Sequence, residues 1–266
     1  MSGQAVGDTP PVGERQHRAM ALVMDAGRTL LENGAEVFRV QQTMQIMAES
    51  LGLADFNVYV LTNGIFASRG SDAAAQIRNV PTQDIHLGRV AGVNELSRSI
   101  AAGRVQLEQA EQELERIKAL PCPSAATHLL ACAMGSACFA LLFGGSLADG
   151  AAGFAAGLVL QSFLLLAGRI RLNKIITRLA GSALLALTAL VMARCLPILQ
   201  MDKIIIGALM TLTPGVALTT SIRDFVNGDY LSGTIRMIDA LLIAGTLACG
   251  VGLVLGLAQM GRGLVL

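Results

Sequence analysis

Charge is what this sequence has least of. Asp, Glu, Lys and Arg together make up 15% of 266 residues, against about 25% in ordinary soluble domains. The scarcity is uneven: residues 1–120 hold 25 of the 39 charged side chains, residues 121–266 the other 14, and no glutamate follows Glu115. One uniform soluble globule is therefore excluded, and a soluble domain joined to a membrane domain is implied. The net charge of +1 gives no sign of a nucleic-acid partner. The histidines are three and scattered, at His17, His86 and His128. Walker A, GxGxxG and HExxH motifs are missing, so neither an enzyme nor a cofactor is expected. Cys122, Cys132, Cys138, Cys195 and Cys249 match no zinc spacing, and no metal site is expected. Four of them lie in apolar runs and read as small buried hydrophobes. The N-terminus lacks the apolar core of a secretory signal. Residues 1–13 read as a disordered lead, and the domain after them as cytoplasmic.

What is present begins with a soluble half, residues 14–120. Residues 14–32 and 36–51 carry apolar positions at three- and four-residue spacing and predict two helices, parted by the helix stop Asn33-Gly34. Around Asn63-Gly64 the period changes to that of a hairpin. Residues 74–80 give a third strand, closed by Pro81, and helices follow at 84–102 and 104–119. That order predicts an N-terminal α+β domain. Its polar candidates are Asn33, Gly34, Glu36, Arg39 and Asn63; on local grounds they equally suit helix cap, solvated face and turn.

Residues 121–266 predict an all-α membrane bundle. Five segments approach the roughly 20 apolar residues a crossing needs: 125–143, 150–168, 175–196, 203–221 and 234–258. They are rich in small residues, such as Gly153 and Gly157, which let helix backbones pack closely. Six basic residues (Arg169, Arg171, Lys174, Arg178, Arg223, Arg236) fall on one side, and three (Arg194, Lys203, Arg262) on the other. The positive-inside rule then puts the N-terminus inside and the C-terminus outside.

The densest polar chemistry lies in "TLTPGVALTTSIRDFVNGDYLSGTIR", residues 211–236. Pro214 cannot donate a backbone hydrogen bond and Gly215 adds slack, so the fourth span should kink or unwind there and free carbonyls near Leu209 and Met210. Thr213 and Thr219 supply hydroxyls beside the break, a feature from which transporters build binding sites. On the fifth span Ser232, Arg236 and Asp239 share a face, where Arg236 and Asp239 can pair. An ionisable group at that depth costs about 2.5–3.5 kcal/mol on the insertion scale and so usually faces a cavity and a partner. The plainer alternatives are that Asp229 caps the fifth span, Arg223 reaches the headgroups, and Asp224 is a solvated loop residue.

This stretch resembles the signature of the threonine/serine exporter family, PG-x-x-L-T-x-x-I-R-D-x-x-x-G-D-x-x-S-G-x-x-R. The matches are Pro214, Gly215, Leu218, Thr219, Ile222, Arg223, Asp224, Gly228, Asp229, Ser232, Gly233 and Arg236. "NGAEVFRVQQTM" is similar to a second family stretch through Gly34, Ala35, Arg39, Val40 and Met44; Asn33 stands where many members have His, and Gln41 where many have an acid. The resemblance implies a multi-pass bacterial inner-membrane exporter of small carboxylated metabolites, either threonine- and serine-like amino acids or dicarboxylates such as succinate. It also implies the larger subunit of a split, two-component type, partnered by a small hydrophobic membrane subunit; a homo-oligomer is compatible with it. Arg223 and Arg236 suit a substrate carboxylate. Asp239, or failing that Asp224, suits a coupling proton or a substrate ammonium. The competing reading is a membrane-anchored sensor or scaffold whose spans only oligomerise.

Overall fold

The computed structural model describes residues 12–70, 75–80, 85–170 and 172–263. Most of the expected lead, Pro81 and Arg171 lie outside them. The chain divides into two compact units, one of Met1–Cys122 with Thr220–Arg236, the other of Pro123–Thr219 with Met237–Leu266.

The first unit opens with α1 (Val12–Glu32), which starts two residues before the expected helix start at residue 14, and α2 (Val37–Ser50). An antiparallel sheet follows in the order β1 (Phe56–Leu61), β2 (Gly64–Arg69), β3 (Gln76–Asn79). The hairpin turn is Thr62-Asn63 rather than Asn63-Gly64. Gly64 pairs with Leu61 on one side and Asn79 on the other, so the central strand claims it for the ladder. Then come α3 (Leu87–Ala101) and α4 (Leu107–Lys118). The second start is set by a capping box, in which the Gln106 and Gln109 side chains each accept the other residue's backbone N–H. Helices α1 and α2 cover one sheet face, burying Phe56, Val60, Ile65 and Ala67 with Val23, Met24, Leu31 and Met44. The other face carries a cross-strand row of exposed Tyr59, Phe66 and Ile77.

The second unit holds α5 (Ala125–Leu142), α6 (Leu147–Arg169), α7 (Lys174–Cys195) and α8 (Met201–Leu209). Helix α9 (Gly215–Val226) and helix α10 (Tyr230–Gly263) each contribute to both units. Helices α5, α6, α7 and the Tyr230–Met260 part of α10 are long and apolar enough to cross a membrane. Only 17% of the apolar window of α5 is buried, and 39% of that of α6. Leu130, Leu166, Leu187, Leu241, Leu242 and Leu257 face outward. Apolar surface so continuous is not kept in water; it marks a membrane protein.

Close packing follows from small residues. A Cβ on Gly157 would stand 2.8 Å from the Ala133 Cα, so α6 meets α5 nearly backbone to backbone. At the other end of the pair Asp149 is fully buried, its carboxylate accepting from the Ser146 and Gln200 amides. The cysteines depart from expectation. Cys122, Cys138, Cys195 and Cys249 are exposed and Cys132 is partly covered, because the small residues that pack the bundle occupy the inner helix faces.

The segment expected as a fourth continuous span is two helices, nine and twelve residues long, separated at 210–214. Either alone is too short to cross. Pro214 does not kink a helix. Its carbonyl accepts the Leu218 amide, so it opens α9, where a missing N–H costs nothing.

Candidate functional site

Within the first unit, Asn227 and Gly228 (φ +86°) end α9, and the Asp229 amide closes back on the Asp224 carbonyl at 2.9 Å. The Asp229 carbonyl accepts the Gly233 amide, the first bond of α10. Gly233 then lets this turn of α10 approach α9. A Cβ there would lie 2.8 Å from a ring carbon of Phe225 and 3.1 Å from the Ser221 carbonyl. The hairpin so formed sets Asp224 beside Arg236.

Asp224 is 0% exposed, and neither carboxylate oxygen has a hydrogen-bond partner. The Arg236 Nε stands 3.6 Å from one of them, with its own N–H unpaired and 11% of its side chain exposed. The ion pair is close enough for attraction and too long for a hydrogen bond. Asp224 lies outside the four spans. Burial pushes its carboxyl above the ordinary aspartate range; Arg236 opposes the rise, and Asp229 and Glu36 reinforce it.

The two sequence motifs meet here. Arg236 Nη2 donates to the Ala35 carbonyl at 3.3 Å, and Arg223 Nη1 donates to the Glu36 carboxylate. Glu36 stands at the N-terminus of α2 and makes no cap with its side chain, which is thereby left for Arg223. Gly34 takes φ +90° to turn the chain between α1 and α2. Asn33 is buried; its amide nitrogen donates to the Thr29 carbonyl, and its carbonyl oxygen accepts from Arg89. Ser232 is buried, whereas Arg39 and Asn63 are exposed, Asn63 in the hairpin turn.

Other expectations are corrected. Arg236 turns to Asp224 and Ala35 rather than to Asp239, which is exposed. Three residues further along α10 point about 60° round the helix, off the face that α9 covers. Asp224 is a buried helical residue, not a solvated loop residue. The carbonyls at the break are not left free. That of Leu209 accepts from the Leu212 and Thr213 amides and the Thr213 hydroxyl, and that of Met210 from the Thr213 amide. A tightened turn has absorbed them. Thr219 likewise donates to the Gly215 and Val216 carbonyls of its own helix, and Gly215 is exposed.

One residue was passed over. In the second unit Arg178, in the second turn of α7, donates to the Leu212 carbonyl in the break at 3.5 Å. No carboxylate among the described residues pairs with it. A cation inside an apolar run was the available signal; in the sequence it weighed only toward orientation.

The family model described as "Putative threonine/serine exporter" matches residues 21–258. A "Threonine/serine exporter" of Corynebacterium glutamicum is 24% identical over 265 residues, covering 94% of this chain and 54% of that protein. A "Probable threonine/serine exporter" of Mycobacterium tuberculosis is 23% identical over 239 residues, 88% of this chain and 45% of that protein. The chain thus spans about half the length of these curated relatives. No solved structure matches it. With the family model covering residues 21–258 and the motif residues gathered around Asp224 and Arg236, this chain belongs to the threonine/serine exporter family.

Proposed function

We propose that the chain exports small carboxylated metabolites, threonine- and serine-like amino acids or dicarboxylates such as succinate, driven by a gradient rather than by ATP. The observation that carries this is the fully buried Asp224 carboxylate with both oxygens unpartnered, 3.6 Å from an equally unpartnered Arg236 Nε. Structural ion pairs are ordinarily completed by hydrogen bonds, because unpaired buried polar atoms cost stability. A pair left open is suited to an exchanging ligand.

Each residue has a part. Arg236, anchored on Ala35, offers Nε–H to a substrate carboxylate. Asp224 competes for the same guanidinium. Proton uptake by Asp224 releases Arg236 to the substrate, and a carboxylate bound on Arg236 in turn raises Asp224's proton affinity. Proton and carboxylate are thereby bound together and leave together, so the substrate's own outward gradient drives their export. Arg178 at the α8–α9 break is a second carboxylate-seeking cation. In this reading α8 and the first turns of α9 together supply a fifth crossing. The N-terminus is then cytoplasmic and the C-terminus periplasmic in a bacterial inner membrane, with a small hydrophobic subunit as partner.

A membrane-anchored scaffold is the second reading, favoured by the exposure of Asp239 and by the Arg223–Glu36 tie. The experiment is efflux from cells loaded with threonine, serine or succinate, comparing wild type with Arg236→Gln and Asp224→Asn at matched membrane levels. Loss of efflux supports export; full efflux in both variants leaves the scaffold.

A further inference from the structure

The first unit contains a second polar site away from Asp224. A cavity of about 340 Å³ opens where α1, Arg89 of α3 and Lys118 of α4 come together. That volume is at the low end for small-molecule sites and suits a metabolite of few heavy atoms. Its lining is charged in both senses. Two buried polar side chains, Thr29 and Asn33, contribute to it.

Its cations are not equivalent. Arg28 is bound to Glu32 at 2.7 Å, and Lys118 to Glu115 at 2.8 Å. Arg89 has no carboxylate partner among the described residues. It is held in place by the Leu120 carbonyl at 2.8 Å, reaches the Asn33 carbonyl oxygen only at 3.5 Å, and its Nε is unpaired. On the opposite sign, Asp25 accepts a long hydrogen bond from Lys118 at 3.4 Å and lies 3.8 Å from Arg78, with 41% of its side chain exposed. A fixed, unneutralised guanidinium and a loosely held carboxylate in one small cavity are complementary to a carboxylate and an ammonium on one molecule.

We propose that this cavity binds a small zwitterion, an α-amino acid, with its carboxylate on Arg89 and its ammonium on Asp25. Asn33 joins the cavity to the other site along the chain. Two residues on, Ala35 holds Arg236, and Glu36 holds Arg223. Occupancy that tightens Arg89 and Asn33 bears directly on those contacts, so the ligand regulates the Asp224–Arg236 pair. The regulatory role rests on the export reading; the binding itself does not.

The test is calorimetric titration of the full chain in detergent with L-threonine, L-serine and succinate, each alone. It is done in an Arg236→Gln background, so that binding at the other site does not contribute. Threonine or serine binding that persists there, and weakens at least about tenfold with either Arg89→Gln or Asp25→Asn, supports the site. Asp25→Asn leaves the Leu120 tether intact and so serves as the variant that keeps its fold. Binding unchanged by both substitutions, binding of succinate in preference to the amino acids, or no binding in that background overturns it.

Discussion

Replacing Asp224 and Arg236 singly and together separates a working pair from a structural one. Asp224 is 0% exposed and the Arg236 side chain 11%. Removing one member of a buried pair typically costs about 3–5 kcal/mol, because the other is left charged and dry. The 3.6 Å gap and the upward push on the Asp224 carboxyl mean that less is lost here. We expect about 2–3 kcal/mol for Arg236→Gln or Asp224→Asn. At this chain length that is a fall in Tm of roughly 5–10 °C. The double substitution Asp224→Leu with Arg236→Met removes both charges and keeps apolar volume, so it should recover most of the stability. Tm is read on purified protein in detergent, and efflux in loaded cells. The working pair predicts recovered Tm with efflux still abolished. Recovered Tm together with recovered efflux would refute the reasoning, since the pair would then be an ordinary structural contact. The pH dependence has a definite sign. A carboxyl whose folded affinity for protons exceeds its unfolded one binds more protons in the native state. Wild-type Tm therefore falls as pH rises from the ordinary aspartate range through the folded value, and Asp224→Asn flattens that part of the profile.

Arg223→Gln should cost only about 0.5 kcal/mol, because the Arg223 side chain is 61% exposed and its pair with Glu36 is screened; a double-mutant cycle with Glu36→Gln measures it. Gly233→Val drives a side chain into Phe225 and the Ser221 carbonyl, and should destabilise by roughly 1–3 kcal/mol in a thermal melt. Arg178→Gln should cut efflux about tenfold or more while Arg169→Gln, at the exposed end of α6, leaves it unchanged; equal effects in the efflux assay would reduce Arg178 to a headgroup contact. A reporter fused after the C-terminus should be active in the periplasm if α8 and α9 complete a fifth crossing; activity in the cytoplasm would mean that only four helices cross.

Much of the architecture was legible because it rests on local signals. Apolar runs near 20 residues marked α5, α6, α7 and α10, the three- and four-residue stripe of Val37, Val40, Met44 and Met47 marked α2, and a change of period marked the hairpin. Where a neighbour competes, local signals gave way. Asn63-Gly64 reads as a turn, yet β3 pairs with Gly64 and draws it into the sheet. Pro214 reads as a kink within a helix, yet the backbone groups around it close among themselves and make it a start. At the candidate site, Arg236 and Asp239 stand close in sequence on one helix, so they were the visible pair. The partner that counts is Asp224, across a hairpin whose closeness depends on Gly233.

The sequence by itself determined that this protein has a charged N-terminal part and an apolar helical part, and that two motifs of one family lie nearly two hundred residues apart. Composition and periodicity act locally, so they can be read without a fold. Which polar groups are buried, which pair and which stay open was decided only by tertiary structure, because desolvation and ion pairing depend on what the rest of the chain brings within a few ångströms. Chain order says nothing of the meeting of Arg223 and Arg236 with Glu36 and Ala35.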